Sequence, residues 1–502
     1  MQEAHCWSGG ESREEIIQVY DQGPEAVVTL VQKLCAMIEQ QQIQIDQQQK
    51  QIVQLTNRVK ELEDRLALNS RNSSNPPSSD QNKRQQPSTR GKSGKKPGGQ
   101  PGHPGKTLKR VEQPDHVINH APESCVACGE SLETIAGEAG RERRQVFDVP
   151  PIKLEVTEHR VIRKTCLNCG KENCGQFPQE VRPGVSYGHE IKALAVYLVN
   201  YQLIPWQRSC ELIGDLLHQP IAEGTLMAAI RDCAAGLVEI ESKIKDAITV
   251  SKVVNFDETG MYANRRRQWL HTASTDQLTH YAVHDKRGSA AANEIAILPN
   301  FKGRAIHDSY GSYFLFGCDH GLCNAHHLRE LTFVEEEMGQ SWAAEMKKLL
   351  LDIKNAVTDA KAAGISKLTQ RYLKRFRDRY SLLIRRGLAL KENQPTSPSG
   401  TRGRKKQSKS KNLLDRLAAR RKEVLAFMYD FTVPFDNNLA ERDLRMMKVQ
   451  QKISGCFRTH QGAQNFCRIR GYISTLKKQG HHILYAIASM FSGQPLLPAL
   501  RG

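Results

Sequence analysis

The sequence predicts a multidomain α/β chain in which a coiled coil, a zinc-binding module and a helix-turn-helix precede an α/β core with a helical insertion. Three observations predict it. A heptad of apolar residues lies near the N-terminus, two CxxC pairs follow a basic linker, and two strand-like runs each deliver an aspartate before a long stretch of helical periodicity.

Length and charge set the frame. A chain of 502 residues exceeds one compact core and predicts roughly three or four domains. Lys plus Arg (72) exceeds Asp plus Glu (54) by 18, an excess that repels itself unless a polyanion or counterions screen it. Nucleic acid is the expected partner, with an anionic membrane surface second. No signal-peptide pattern is present and no apolar run reaches about 18 residues, so membrane insertion and secretion are not expected and the chain reads as cytoplasmic. Thirteen cysteines in such a chain favour thiols or metal ligands over disulfides.

From 27 to 68 the apolar residues fall on a heptad: Val31, Ile38, Ile45, Ile52, Val59 and Leu66 at one position, Leu34, Leu55 and Leu62 at its partner. Gln41 and Gln48 interrupt the seam and restrict register. β-branched residues at one seam position favour two strands, so a homo-oligomer is expected; the alternative is an amphipathic helix packed on its own protein. The segment 69–107 is rich in Ser, Pro, Gly, Gln and Lys and reads as a linker without a core. Ten basic residues against one Asp lie between 71 and 110, where they can follow a phosphate backbone without reading sequence or simply solubilise a tether.

Cys125, Cys128, Cys166 and Cys169 form two CxxC knuckles, each followed by Gly. Four thiolates in this pattern suit one tetrahedral, structural Zn²⁺. Cys174 is nearby as a substitute ligand. Alternating residues between the pairs (Val146, Phe147, Val149, Ile152, Leu154 and Val156) predict a hairpin that presents both knuckles. After His189 a helical stripe begins, and helices over 209–217 and 223–230 across a short turn read either as a helix-turn-helix or as ordinary helical packing.

The run 252–256 reads as a buried strand that delivers Asp257 at its carboxyl end. Strands over 268–273 and 279–283 suggest a meander, and 303–307 delivers Asp308. Carboxylates beside turns suit a hard cation such as Mg²⁺. In the third block, PFDNNLAERDLR, Asp436 or Asn437 can cap a helix that holds Glu441 in its early turns. Arg442, Arg445, Lys448 and Lys452 lie close by as phosphate contacts.

Asp257 in FDETG, Asp308 in HDSYGSY and Glu441 in PFDNNLAERDLR resemble the three signatures of the insertion-sequence-66 family of bacterial transposases. The resemblance covers nearly the whole chain in order, from the zipper through the GGQPGHPG linker, the CxxC domain and the helix-turn-helix to the split catalytic domain. It implies an RNase H-like core with a helical insertion, acting as a DDE transposase on the terminal inverted repeats of an insertion sequence and on target DNA in the bacterial nucleoid. Two Mg²⁺ (or Mn²⁺) ions would be held by Asp257, Asp308 and Glu441, with Asp257 shared, and accessory proteins of the same element are possible partners. The chain departs from the pattern at Ser309, where Gly is commoner, and at 260–264. A nuclease or resolvase with the same carboxylates and a zinc-containing DNA-binding regulator are the competing functions.

Residues 342–390 and 413–429 carry the helical periodicity of the insertion, joined by a basic loop at 401–412 that is either a DNA contact or a hinge. Cys318, His320, Cys323, His326 and His327 could ligate a second zinc, or His326 and Arg329 could serve the active site or a DNA end. The expected boundaries are 20–68 for the coiled coil, 69–115 for the linker, 116–182 for the zinc domain and 183–245 for the helix-turn-helix region. The catalytic domain then takes 246–460, with its insertion at about 335–430, and a C-terminal module takes 461–502.

Overall fold

The computed structural model describes residues 13–69, 71–73, 108–137, 143–150, 152–178, 181, 183–390 and 407–500. Most of the expected linker and the first half of the basic loop at 401–412 lie outside the described residues. The chain divides into two compact units: 1–84 with 326–359 and 369–420, which is helical, and 85–325 with 360–368 and 421–502, which carries the sheets.

Helix α1 (Arg13–Asp21) and helix α2 (Pro24–Leu66) open the helical unit. Gly23 (φ 102) separates them, and Pro24, which needs no N–H partner there, starts the second. The 43 residues of α2 extend about 65 Å at 1.5 Å per residue. Its heptad residues Val31, Leu34, Ile38, Ile45, Ile52, Leu55, Val59 and Leu62 are all exposed.

In the other unit, strands β1 (Arg163–Thr165) and β2 (Glu172–Cys174) pair antiparallel around the second knuckle. Among the described residues the hairpin expected between the knuckles is not formed. Residues 146–150 and 152–156 have no regular structure, and Val146, Phe147, Val149, Ile152 and Val156 are exposed, because their alternation has no second layer to face. Helix α3 (His189–Val196) continues as a π-helical turn, Tyr197–Tyr201, before α4 (Trp206–Leu217), α5 (Glu223–Gly236) and α6 (Val238–Thr249). His218, at φ 52, makes the turn between α4 and α5.

Strands β3 (Val253–Ala263), β4 (Arg266–Ser274) and β5 (Thr279–His284), helix α7 (Ser289–Ile295), and strands β6 (Arg304–His307) and β7 (Asp319–Leu322) follow. The five strands form one sheet in the order β5-β4-β3-β6-β7. The first three are an antiparallel meander, and β6 and β7 run parallel to β3. β3 does not end at Asp257 as expected. It continues six residues further because Asn264 and Arg265, at φ 51 and 58, make the mirror-image two-residue turn that suits strand twist. Asp257 is therefore mid-strand. Where β6 starts, a Cβ on Gly303 would lie 2.5 Å from the Lys252 and Ser251 carbonyl oxygens, so only glycine lets the strands approach.

Helices α8 (Asn324–Met338), α9 (Ser341–Ala362), α10 (Gln370–Ala389) and α11 (Lys409–Ala419) supply the rest of the helical unit. There Trp342, Met346, Leu350, Tyr380, Leu383 and Leu414 are buried, and the Tyr380 hydroxyl donates to the Leu417 carbonyl at 2.9 Å. The single helix expected over 413–429 breaks after α11 into α12 (Arg421–Val424) and α13 (Ala426–Tyr429), because Arg420 (φ −109, ψ 29) and Leu425 (φ −96, ψ 6) leave helical geometry. The breaks turn Val424, Phe427 and Met428 inward.

Helices α14 (Asn438–Ser454), α15 (His460–Lys478) and α16 (Ile483–Phe491) complete the unit with the sheet. One face of the β3–β5 meander is closed by Leu444 and Met447 of α14 and Phe466 of α15, packed with Met261, Leu270 and Tyr281. No helix among the described residues is long and apolar enough to cross a membrane.

Candidate active site

The parallel register pairs Val253 with Arg304, Val254 with Ala305 and Asn255 with Ile306. Continued two residues, it sets Asp257 opposite Asp308. β6 stops at His307, so Asp308 leaves the sheet where β3 still runs on. The next residue, Ser309, has φ 76, the left-handed region that costs a side-chain-bearing residue about 1–2 kcal/mol. That conformation explains why glycine would suit the position. It lets the Ser309 N–H donate to His307 Nδ1 (3.2 Å) and the Tyr310 N–H donate to the Asp308 carboxylate (3.0 Å).

Glu441 is in the first turn of α14. Asn437, only 1% exposed, anchors that turn. It does not cap through its side chain; its amide donates to the Phe256 carbonyl (2.9 Å) and accepts from Asn255 Nδ2 (2.8 Å), while its N–H points at Cys323 Sγ (3.1 Å). Asp436 takes the capping task, accepting from the Asn438 N–H at 3.2 Å. Asp443, two residues past Glu441 and so on another side of the helix, is committed to packing. It accepts from Ser274 Oγ (2.7 Å), Thr279 Oγ1 (3.3 Å) and Lys478 Nζ (2.8 Å). Periodicity thus separates the structural acid Asp443 from Glu441 within one short block.

These elements bring Asp308 and Glu441 near enough for their charges to act on Asp257. Burial, then the charges of Glu258, Asp308 and Glu441, push the Asp257 carboxyl well above the ordinary aspartate range, against one backbone N–H from Glu258. Crowded oxygen donors of one sign suit a hard divalent cation, which removes the repulsion.

Glu258, which no sequence motif singled out, is 9% exposed on the opposite face of β3. It accepts from Arg287 Nε (2.8 Å) and from the Tyr313 hydroxyl; burial still raises its pKa. Arg287 in turn lies over Trp269 (5.0 Å) and Tyr310 (4.2 Å). The only sequence signal for Glu258 is an acid next to Asp257 in a strand, where alternation must send one of the two to each face.

Arg442, Arg445, Lys448 and Lys452 are exposed along α14, and Lys448 Nζ donates to the Gly260 carbonyl at 2.9 Å. Arg329 is half-buried on α8 in the helical unit. Cys318, His320 and Cys323 do not converge as a second zinc site. His320 Nδ1 meets His307 Nε2 (3.1 Å), and Cys323 lies with Asn437, its sulfur within 4.8 Å of a Glu441 carboxylate oxygen. His327 belongs to the helical unit, where burial pushes its pKa down to about 3.

The two knuckles have one geometry. Gly129 (φ 77) donates to the Cys125 carbonyl and Gly170 (φ 71) to that of Cys166, each at 2.8 Å. Backbone N–H groups of Cys128 and Ala127, and of Cys169 and Asn168, lower the Cys125 and Cys166 thiol pKa values. Stabilised thiolates fit zinc. The sulfurs are paired within each knuckle, Cys125 with Cys128 and Cys166 with Cys169.

Comparison with known families agrees with this anatomy. Residues 122–170, which include all four knuckle cysteines, match the zinc-finger binding domain of transposase IS66, making this a structural zinc module. Residues 25–109 match a family of unknown function (DUF6444). No curated protein matches the chain. Residues 184–465, more than half of the 502, match the family described as Transposase IS66 family, and the chain, a DNA-binding and nucleic-acid-processing protein, belongs to the IS66 family of transposases.

Proposed function

We propose that this transposase cuts the terminal inverted repeats of an insertion sequence and joins the freed 3′ ends to target DNA at a site made by Asp257, Asp308 and Glu441. The observation that carries the proposal is that Asp308, at the end of β6, and Glu441, in the first turn of α14, lie near enough for their charges to act on the partly buried Asp257 of β3. The strand order β5-β4-β3-β6-β7, with the first three antiparallel and the last two parallel, supports an RNase H-like core.

The three carboxylates would hold two Mg²⁺, or Mn²⁺, which when bound supply an activated water or 3′-hydroxyl and neutralise charge on the phosphate under attack. The chain's own part is positioning. Asn437 fixes Glu441 against β3, the Ser309 turn aims Asp308, and Arg442, Arg445, Lys448, Lys452 and Arg329 contact phosphates. The domain limits given from the sequence, the four knuckle cysteines as zinc ligands and α4–α5 as a helix-turn-helix complete the reading. The exposed seam of α2 supports a coiled-coil homo-oligomer in the bacterial cytoplasm; sedimentation equilibrium of Ile38→Asp would then show monomers, and an unchanged mass would sink this part.

The decisive experiment incubates the protein with labelled element ends in Mg²⁺ and follows binding, cleavage and end joining. Asp257→Asn, Asp308→Asn and Glu441→Gln should each bind ends and join none. Normal joining by any one of them removes that residue from the site, and cleavage without joining by the parent points to a nuclease or resolvase.

A further inference from the structure

Beyond the end of β6, β3 and β4 run on to their turn as an arm, with β5 still paired to β4 as far as Trp269 and Phe457 bonded to the backbone of Tyr262 and Asn264. On one face the register sets Gly260 opposite Trp269 and Tyr262 opposite Arg267. The Arg267 guanidinium lies 4.7 Å from the Trp269 ring centroid, and Arg287 lies 5.0 Å from the same ring and 4.2 Å from that of Tyr310. Arg287 is tethered to Glu258, and the Tyr310 N–H to Asp308. A ladder of stacked side chains, Arg267, Trp269, Arg287 and Tyr310, thus runs along the face of β3 that carries Glu258 and ends beside Asp308, whose carboxylate accepts from the Tyr310 N–H.

More cations gather on the arm. Arg265 and Arg266 are exposed at its tip, and Lys448 reaches in from α14 to the Gly260 carbonyl. Among the described residues no carboxylate pairs with Arg265, Arg266, Arg267 or Lys448. Elsewhere in the same unit arginines find acids, as Arg304 does in Asp319 and Arg468 in Glu241. Burial and the Arg267 charge hold the Lys448 ammonium below the ordinary lysine range, so the like charges crowd one another. A polyanion would relieve that crowding. A guanidinium stacked on an aromatic ring keeps its N–H fork free for phosphate at low entropic cost.

We propose that the β3–β4 arm is a backbone track for the DNA strand that reaches the active site at Asp308, with Arg265, Arg266, Arg267 and Lys448 on its phosphates. The proposal rests on the active-site reading above. From Asp257 to the end of β3 is about 20 Å at 3.3 Å per residue, the length of about six phosphates of one duplex strand at 3.4 Å each.

The test uses the full chain carrying Asp257→Asn, titrated by fluorescence anisotropy with an element-end duplex and an unrelated duplex over a range of salt. Adding Arg266→Ala with Arg267→Ala should lower the slope of log Kd against log salt by about 2, near 0.9 for each phosphate that is no longer neutralised, equally for both duplexes. Trp269→Leu, which removes the stack but no charge, should weaken binding and keep the slope. Melting curves report that each variant is folded. An unchanged slope in the folded double variant overturns the track. Cleavage by the parent chain is read in parallel: cleavage with an unchanged slope fails the track alone, and a lowered slope without cleavage upholds the track while failing the active-site reading.

Discussion

The Asn437 side-chain amide donates to the Phe256 carbonyl at 2.9 Å, one residue before Asp257, and thereby joins the start of α14 to β3 across 181 positions of sequence. With Asn255 completing the pair at 2.8 Å, Glu441 is held at the distance from Asp257 that a buried amide pair dictates. Asn437→Ala leaves Asn255 Nδ2 and the Phe256 carbonyl buried without these partners, at about 1–3 kcal/mol each. The expected result is a lower melting temperature together with loss of at least about 100-fold in end cleavage, since misplacement by 1 Å has that effect. DNA affinity should stay near the parent value. Cleavage within a few-fold of the parent, at a temperature where the variant is folded, would show that the amide pair supports the fold alone.

Ser309 offers the reverse experiment. Its φ of 76 is unfavourable for serine and neutral for glycine, so Ser309→Gly should stabilise the protein by about 0.5–1 kcal/mol once the extra chain entropy of glycine is subtracted. The turn keeps its N–H contact to His307 in the variant, so cleavage should be unchanged or faster. A fall in melting temperature would mean that the serine hydroxyl contributes something the backbone geometry does not reveal.

A pH profile follows from the crowding at Asp257. Its carboxyl, and that of Glu258, are raised above their ordinary values, chiefly by burial. A raised acid keeps its proton in the folded chain after the unfolded chain has lost it, so stability falls as pH rises from about 4 through the folded pKa. In EDTA, Asp257→Asn should therefore melt above the parent at pH 8, and the gap should shrink as pH approaches 4. Mg²⁺ should raise the parent's melting temperature more than the variant's, because only the parent keeps the full ligand set. A gap that is constant over this range would contradict the assigned cause.

Sequence and structure diverge at places with a common physical origin. Strands β4, β5 and β6 were legible because alternation and β-branched residues act locally, and Glu441's block was legible because capping residues precede it. The end of β3 was not, since the turn at Asn264 and Arg265 lacks the usual glycine and only the partner strand reveals it. The false hairpin at 146–156 shows the converse: alternation predicts a strand only where a second layer exists to receive one face. The link from Asn437 to β3, and the roles of Glu258 and Arg287, were hidden for a third reason. Each acts through partners on remote segments, and a single side chain carries no periodicity that would betray them.

The zinc module gives the last prediction. Residues around both knuckles are almost all exposed, with Val126 and Leu167 fully so, and a segment with so little apolar burial needs another source of stability. Zinc binding supplies it in small modules, where binding and folding are one equilibrium. The backbone N–H groups that lower the Cys125 and Cys166 thiol pKa values prepare each knuckle to deliver thiolates to one ion. Purified protein should carry one zinc per chain by atomic absorption, and Cys125→Ser or Cys166→Ser should remove it. Chelation should make the 122–170 region sensitive to protease while the melt of the sheet-bearing unit, whose core lies in β3–β7 and the helices packed on them, is preserved. Retention of a full equivalent of zinc in the Cys166→Ser chain would assign the ion to other ligands.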